Sequence, residues 1–82
     1  MEENITGTLN MDVCGFSYDH ETKGCDQKDV VNDIESWLYE ELEDEFNDYD
    51  LIIERTDGYE FKVSMYIDCD RMSVGTITIE EL

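Results

Sequence analysis

Acidic side chains outnumber basic ones so heavily in this chain that charge repulsion limits how it can fold. Its 82 residues include 23 Asp and Glu against 5 Lys and Arg, which gives a formal net charge of −18 at pH 7. A small domain usually carries a net charge of about 2–8 in magnitude. A compact fold must therefore keep these carboxylates on its surface, where water and salt screen their mutual repulsion.

The apolar content is nevertheless that of a folded protein. Hydrophobic residues make up 40% of the chain, and five Tyr, three Phe and one Trp supply bulky side chains for a core. This composition argues against disorder in spite of the charge. The length suits one domain and leaves no room for a deep cleft between two. We expect a single domain over residues 1–82.

Alternation of polar and apolar residues predicts several strands. Every second residue is apolar or Gly from Ile5 to Val13, and apolar residues alternate again over 59–67, the clearest strand. The β-rich segments 51–53 and 72–79 predict two more strands, and the inward phase of the last one slips near Gly75, as at a β-bulge. The Asp57-Gly58 dipeptide predicts a hairpin turn, and residues 68–71 predict another.

One helix is predicted between the strands. Apolar residues recur at every fourth position from Val30 to Phe46, which indicates an amphipathic helix over about 27–46. Asp26 is a suitable N-cap, with Asp29 as a capping-box partner. We expect the first strand to continue through Tyr18 and residues 19–26 to form a polar loop.

These elements predict an α+β fold in the order β-α-β-β-β. One acidic amphipathic helix is expected to pack on one face of a mainly antiparallel four-stranded sheet.

The charge also limits the partners and the location that we expect. Nucleic acid and anionic membranes are excluded as direct partners because both would be repelled, and basic protein surfaces are favoured. The acidic start, Met1-Glu2-Glu3-Asn4, is not followed by an apolar run, so we expect no signal peptide and a cytoplasmic protein. No segment is apolar enough for a membrane span.

Acidic residues cover the helix face opposite its apolar stripe. This face carries Asp29, Asp33, Glu40, Glu43 and Asp44. Several of them are like-charged neighbours at i,i+4, and many crowd the C-terminal end of the helix, where each opposes the helix dipole by about 0.3–1 kcal/mol. Lys or Arg would stabilise that end. Because acids at this end of the helix cost stability and bring none in return, their presence indicates a functional surface.

The spacing of these carboxylates is close to that of phosphates. Five of them over about 22 Å of helix give one charge per roughly 4–5 Å, against about 3.4 Å along a DNA strand. Tyr39 lies beside them and is an amphipathic anchor of the kind that dominates protein interfaces. The predicted partner-binding residues are Asp29, Asp33, Tyr39, Glu40, Glu43, Asp44, Asp48 and Asp50.

In size, acidity and its acid-rich helix, the chain resembles the small acidic inhibitors made by phages and mobile elements, which include DNA-mimic and anti-CRISPR proteins. The resemblance covers the whole chain and rests on no diagnostic motif. It implies a non-enzymatic inhibitor that occupies the nucleic-acid-binding groove of a basic protein, such as a bacterial anti-phage defence effector, in the host cytoplasm. It names no cofactor and no catalytic residue.

Other chemistry has weaker support. Cys14, His20, Cys25 and Cys69 could form a Cys3His zinc site, but no C-x2-C pair is present and the spacing is unlike a zinc knuckle. A Cys14–Cys25 disulfide would need an oxidising compartment. Catalysis by a thiol is disfavoured because the negative field raises thiol pKa values. No calcium loop or phosphate loop is found. We therefore predict no metal, no cofactor and no catalytic residue.

Two further interpretations remain open. The protein could be an adaptor that binds its partner through exposed aromatics or through the second face of the sheet, with its charge serving mainly solubility. The residues predicted on that face are Thr6, Thr8, Lys62, Ser64 and Tyr66. The acidic helix face could also be no more than a solvated surface.

Overall fold

The computed structural model describes residues 3–82, so Met1 and Glu2 of the acidic start lie outside the described residues. The elements in chain order are β1 (Ile5–Val13), β2 (Phe16–Gly24), α1 (Gln27–Leu42), β3 (Tyr49–Arg55), β4 (Glu60–Ile67) and β5 (Asp70–Glu81). Among these residues, no helix is both long and apolar enough to cross a lipid bilayer.

The predicted order β-α-β-β-β with a four-stranded sheet is wrong, because the segment after β1 forms a fifth strand. A two-residue turn at Cys14 and Gly15 folds β2 back along β1 and places Val13 opposite Phe16. Both turn residues have positive φ angles, 49° and 88°, as a type I′ hairpin turn requires. Cys-Gly is not among the dipeptides that usually form this turn, so the sequence predicts one longer strand followed by a loop instead of a hairpin.

The five strands form one antiparallel sheet in the order β2-β1-β5-β4-β3. Helix α1 packs on one face of this sheet, against β2, β1 and β5. The core lies between them, because alternate side chains of the strands and every fourth position of α1 point into the same layer. Among residues 3–82, no helix packs on the opposite face of the sheet.

Several local predictions are confirmed. The side chain of Asp26 caps α1 by accepting a hydrogen bond from the Asp29 backbone N–H at 2.9 Å. The bulge lies next to Gly75, because Gly75 faces Val63 while the next β4 residue faces Ser73. The helix ends at Leu42 rather than 46, with residues 43–45 in a turn.

Candidate functional site

Five carboxylates form a continuous surface along α1. We call this set the acidic stripe: Asp29, Asp33, Glu40, Glu43 and Asp44. All five residues are exposed. Asp29, Asp33 and Glu40 lie on α1 at spacings of four, seven and eleven residues, which keep side chains on one side of a helix, and Glu43 and Asp44 lie in the turn that follows α1.

Asp33 of the stripe lies on the flank of α1 that faces strand β2. The Asp33 carboxylate accepts a hydrogen bond from the Thr22 hydroxyl at 2.5 Å, and one of its oxygens lies 3.6 Å from His20 Nε2. The His20 ring stacks on Trp37, with 4.4 Å between ring centroids and 10° between ring planes. These contacts fix the rotation of α1 about its axis and hold Asp33 beside β2.

The sequence analysis missed the contribution of β2 to this surface, because it assigned residues 19–26 to a loop. A signal was present. Aromatic, imidazole and β-branched side chains alternate with Ser, Asp, Glu and Lys in this segment, which is the period-2 pattern of a half-buried strand. The residues of β2 that face the helix layer are Phe16, Tyr18, His20, Thr22 and Gly24.

Within residues 3–82, one charged contact, between His20 and Asp33, involves a residue of the stripe. The described part of the chain has two such contacts, His20 with Asp33 and Arg71 with Glu54. No Lys or Arg of residues 3–82 therefore pairs with the stripe. The stripe is a dense row of exposed negative charge without the opposite-sign neighbours that normally stabilise a helix surface.

The remaining predicted site residues, Tyr39, Asp48 and Asp50, lie near the start of β3. Tyr39 stacks on Tyr49 at the start of β3, with 5.9 Å between ring centroids. Burial raises the pKa of the Tyr49 hydroxyl, and the neighbouring Tyr39 and Glu43 raise it further. The Tyr39–Tyr49 pair therefore faces β3 with Glu43 of the stripe near it, whereas Asp33 lies toward β2.

Asp48 and Asp50 line a surface depression at the start of β3. Its volume is about 450 Å³, and it is lined by Asp48, Tyr49, Asp50, Tyr66, Asp68 and Cys69. Asp50 is paired with Tyr66 in the β3–β4 register, so its side chain belongs to the sheet face that α1 leaves open. The eight predicted residues thus form two groups: the stripe, and a second group of Tyr39, Asp48 and Asp50 near the start of β3.

The open face of the sheet carries both acidic and basic side chains. Strand register places on it the residues predicted for the second face, Thr6, Thr8, Lys62, Ser64 and Tyr66. Lys23 and Arg71 share this face, because they pair with Thr6 and Tyr66. Three of the chain's five basic residues therefore lie on the face away from α1.

The cysteines occupy separate places in the fold. Cys14 and Cys69 lie in the β1–β2 and β4–β5 turns. Cys14 and Cys25 flank the nine residues of β2, which span about 30 Å when extended, so the disulfide considered above would not fit this fold. Among residues 3–82, no group of three His, Cys, Asp or Glu side chains is arranged to hold a metal ion.

Cys25 lies just before α1 in a negative environment. Desolvation, together with Asp29 and Asp26, raises the pKa of its thiol. A raised pKa leaves less thiolate at neutral pH, and the thiolate is the nucleophilic form. An increase is the change in the Cys25 pKa that the negative charge around it predicts.

No protein-family model, curated protein or solved structure matches the chain.

Proposed function

We propose that this protein is a non-enzymatic inhibitor that binds the basic, nucleic-acid-binding surface of another protein through the acidic stripe. The observation that carries the proposal is the set of five exposed carboxylates on α1 and the turn that follows it, with no Lys or Arg pairing to them within residues 3–82. Like charges at i,i+4 and acids at a helix C-terminus destabilise the isolated protein. A partner rich in Arg and Lys removes that repulsion on binding.

The spacing of the stripe supports nucleic-acid mimicry as the mode of inhibition. Its five charges span about 22 Å, a mean density of one charge per roughly 4–5 Å against about 3.4 Å along one DNA strand, with the widest gap of about 10 Å between Asp33 and Glu40. The Thr22 and His20 contacts of Asp33 fix one carboxylate in place. Groups that are already ordered lose less entropy on binding.

The kind of target follows from this chemistry. A groove that binds phosphates presents Lys and Arg at a matching interval, so it is the natural receptor for the stripe. Together with the resemblance to phage inhibitors, this favours a bacterial defence effector, such as a CRISPR or restriction protein, met in the host cytoplasm. Long-range attraction makes such association fast and sensitive to salt.

The proposal is tested by affinity capture from bacterial lysate with three forms of the protein. A stripe variant carries Asp33→Asn, Glu40→Gln, Glu43→Gln and Asp44→Asn. A matched control variant carries Asp19→Asn, Glu21→Gln, Glu60→Gln and Glu80→Gln, which neutralise the same number of exposed charges on the open sheet face.

We expect the wild type and the control variant to capture the same nucleic-acid-binding protein, and the stripe variant to lose it. Added DNA or RNA should release the captured protein. Equal capture by the stripe and control variants would show that the position of the neutralised charges does not matter, and it would contradict the proposal.

A second candidate function has its own supporting observation. The open sheet face combines Lys23, Lys62 and Arg71 with the exposed ring of Tyr66. An adaptor would use this face to bind a partner, and its charge would serve solubility. In that case Tyr66→Ala with Lys62→Glu would abolish capture, and the stripe variant would bind as the wild type does.

A further inference from the structure

Five ring-bearing side chains follow one another along the boundary between α1 and β2. Phe16, Tyr18 and His20 lie on the side of β2 that faces the helix layer. Phe16 meets Phe46 edge to face, with 6.2 Å between ring centroids, and Tyr18 meets Trp37 in the same way at 6.4 Å. The stack of His20 on Trp37 completes the set. We call these five residues the aromatic row.

The aromatic row is ordered and still open to solvent. The Phe46 N–H donates to the Leu42 carbonyl at 2.8 Å, which ties Phe46 to the last turn of α1. Phe16 is 45% exposed, and the other four residues of the row are partly exposed. Rings that already hold one another in place lose little entropy when they bind a partner.

Carboxylates border the aromatic row. Burial raises the pKa of the Tyr18 hydroxyl, and the nearby Glu45 and Glu41 raise it further. Both glutamates are exposed. Farther along the row, one Asp33 oxygen lies 3.6 Å from His20 Nε2. Aromatic surface and negative charge are therefore adjacent on this side of the molecule.

The five Lys and Arg of the chain lie elsewhere. Three of them belong to the open face of the sheet: Lys23, Lys62 and Arg71. The other two, Lys28 and Arg55, line a depression of about 510 Å³ between β3–β4 and the start of α1. Lys28 and Trp37 are nine residues apart, which places them on opposite sides of α1 at about 100° per residue. No Lys or Arg of the chain therefore neutralises the carboxylates beside the row.

Arginine is the side chain that suits this combination of groups. A guanidinium stacks on an aromatic face and at the same time donates hydrogen bonds to carboxylates. A lysine ammonium is a compact and strongly hydrated charge, and a purely apolar partner would take Glu41 and Glu45 out of water without pairing them. Proteins that bind nucleic acid use arginine in the same two ways, against bases and phosphates.

We propose that the aromatic row, together with Glu41 and Glu45, binds arginine side chains of the basic partner, so that the segment of the partner that docks here is rich in arginine rather than lysine. This inference rests on the proposed function, because the partner is the one that the acidic stripe attracts. The stripe attracts either cation at long range, and the row supplies the preference between them. Phe16 is the most exposed ring of the row, so it is the ring on which we place a guanidinium.

Titration with synthetic peptides tests the preference on the full chain. Polyarginine and polylysine of equal length carry equal charge, and Trp37, the one Trp of the chain, reports binding through its fluorescence. We expect the wild type to bind polyarginine at least about fivefold more tightly than polylysine. Phe16→Leu keeps an apolar side chain but removes the ring, and its two affinities should agree within about twofold. Tyr66→Ala, which removes an exposed ring from the open face, should keep the wild-type preference.

NMR of the wild-type complex tests the contact without any variant. Ring currents should move the δ-methylene protons of bound arginine upfield. Equal affinity of the wild type for the two peptides, no ring-current shift, or an unchanged preference in Phe16→Leu would overturn the inference and leave the proposed function standing.

The stripe variant separates this inference from the proposed function. It should bind both peptides more weakly and keep the preference for arginine, because Phe16, Glu41 and Glu45 are unchanged in it. A stripe variant that binds polylysine as tightly as the wild type does would contradict the proposed function, and a wild type that binds neither peptide would contradict both.

Discussion

Two glycines set how closely α1 approaches the sheet, and with it the position of the stripe. A Cβ atom at Gly7 would collide with Val30 Cγ1, and one at Gly24 would lie 2.8 Å from Asp29 Cβ. Both positions face the first turns of α1. The absence of a side chain there lets Val30 and Ile34 pack directly over β1, where both are fully buried.

Gly7→Ala should therefore destabilise the protein by about 1–3 kcal/mol, because the added methyl group overpacks the contact with Val30. Urea unfolding measures the change. Gly58→Ala is the matched control, since no atom lies within 4 Å of its Cβ position and its φ is not positive, and it should shift stability by less than about 1 kcal/mol. A Gly7→Ala variant as stable as the wild type would show that α1 can move away from β1 without cost.

The Cys25 thiol reports the negative field at the start of the stripe. Desolvation and the adjacent Asp29 and Asp26 raise its pKa. Asp29→Asn removes one source of the shift and lowers the pKa, so more thiolate forms at a given pH. Alkylation of Cys25 by iodoacetamide, followed by mass spectrometry at about pH 8, should therefore be faster in Asp29→Asn. Glu80→Gln, far from Cys25 in sequence and on the open face, should leave the rate unchanged; an unchanged rate in Asp29→Asn would contradict this cause.

At the scale of elements, the charge pattern of α1 is unfavourable for its own stability. Glu40 and Asp44 repel at i,i+4, and both oppose the dipole at the C-terminal end of α1. The double variant Glu40→Gln, Asp44→Asn should be more stable than the wild type by about 0.5–1 kcal/mol at low salt. Asp26→Ala removes the N-cap and should lose about 1 kcal/mol.

Thermal melts at low and high salt separate these effects. The gain in the Glu40, Asp44 variant should shrink at high salt because it is electrostatic, while the loss in Asp26→Ala should persist. A loss of stability on neutralising Glu40 and Asp44 would mean that these carboxylates serve the fold, and the functional argument from them would fail.

The elements differ in how well the sequence predicts them. The start of α1, the β4 alternation and the bulge near Gly75 follow from local rules and are confirmed. Strand β2 was missed because its turn uses Cys14 at a positive φ, a residue without the small polar side chain that favours this conformation. The apolar phase changes from odd-numbered positions in β1 to even-numbered ones at Phe16 and Tyr18, and this break is the sequence signal of the reversal.

At the scale of the whole molecule, sequence predicts the residues of the stripe but not their grouping. Periodicity places Asp29, Asp33 and Glu40 on one side of a helix, and all three are exposed on α1. It cannot show that Tyr39 turns toward β3 and stacks on Tyr49, because that depends on how α1 is rotated on the sheet. The His20–Trp37 stack that fixes this rotation joins two elements, and one of them was not predicted.

The positions of the charged residues on the molecule decide which surface a basic partner contacts. The acidic stripe lies on the side of the sheet that α1 covers, and the open face carries three of the five basic residues. A partner with a phosphate-binding groove can therefore engage the stripe without meeting the cations of the open face.

The most direct measurement is displacement of labelled nucleic acid from the captured partner, followed by fluorescence anisotropy. We expect the wild type and the open-face control variant to displace the nucleic acid at similar concentrations. The stripe variant should need at least about tenfold more protein, which corresponds to about 1.4 kcal/mol of lost binding free energy. If the protein binds the partner while the nucleic acid stays bound, or if the stripe variant competes as well as the wild type, the acidic stripe is not a nucleic-acid mimic.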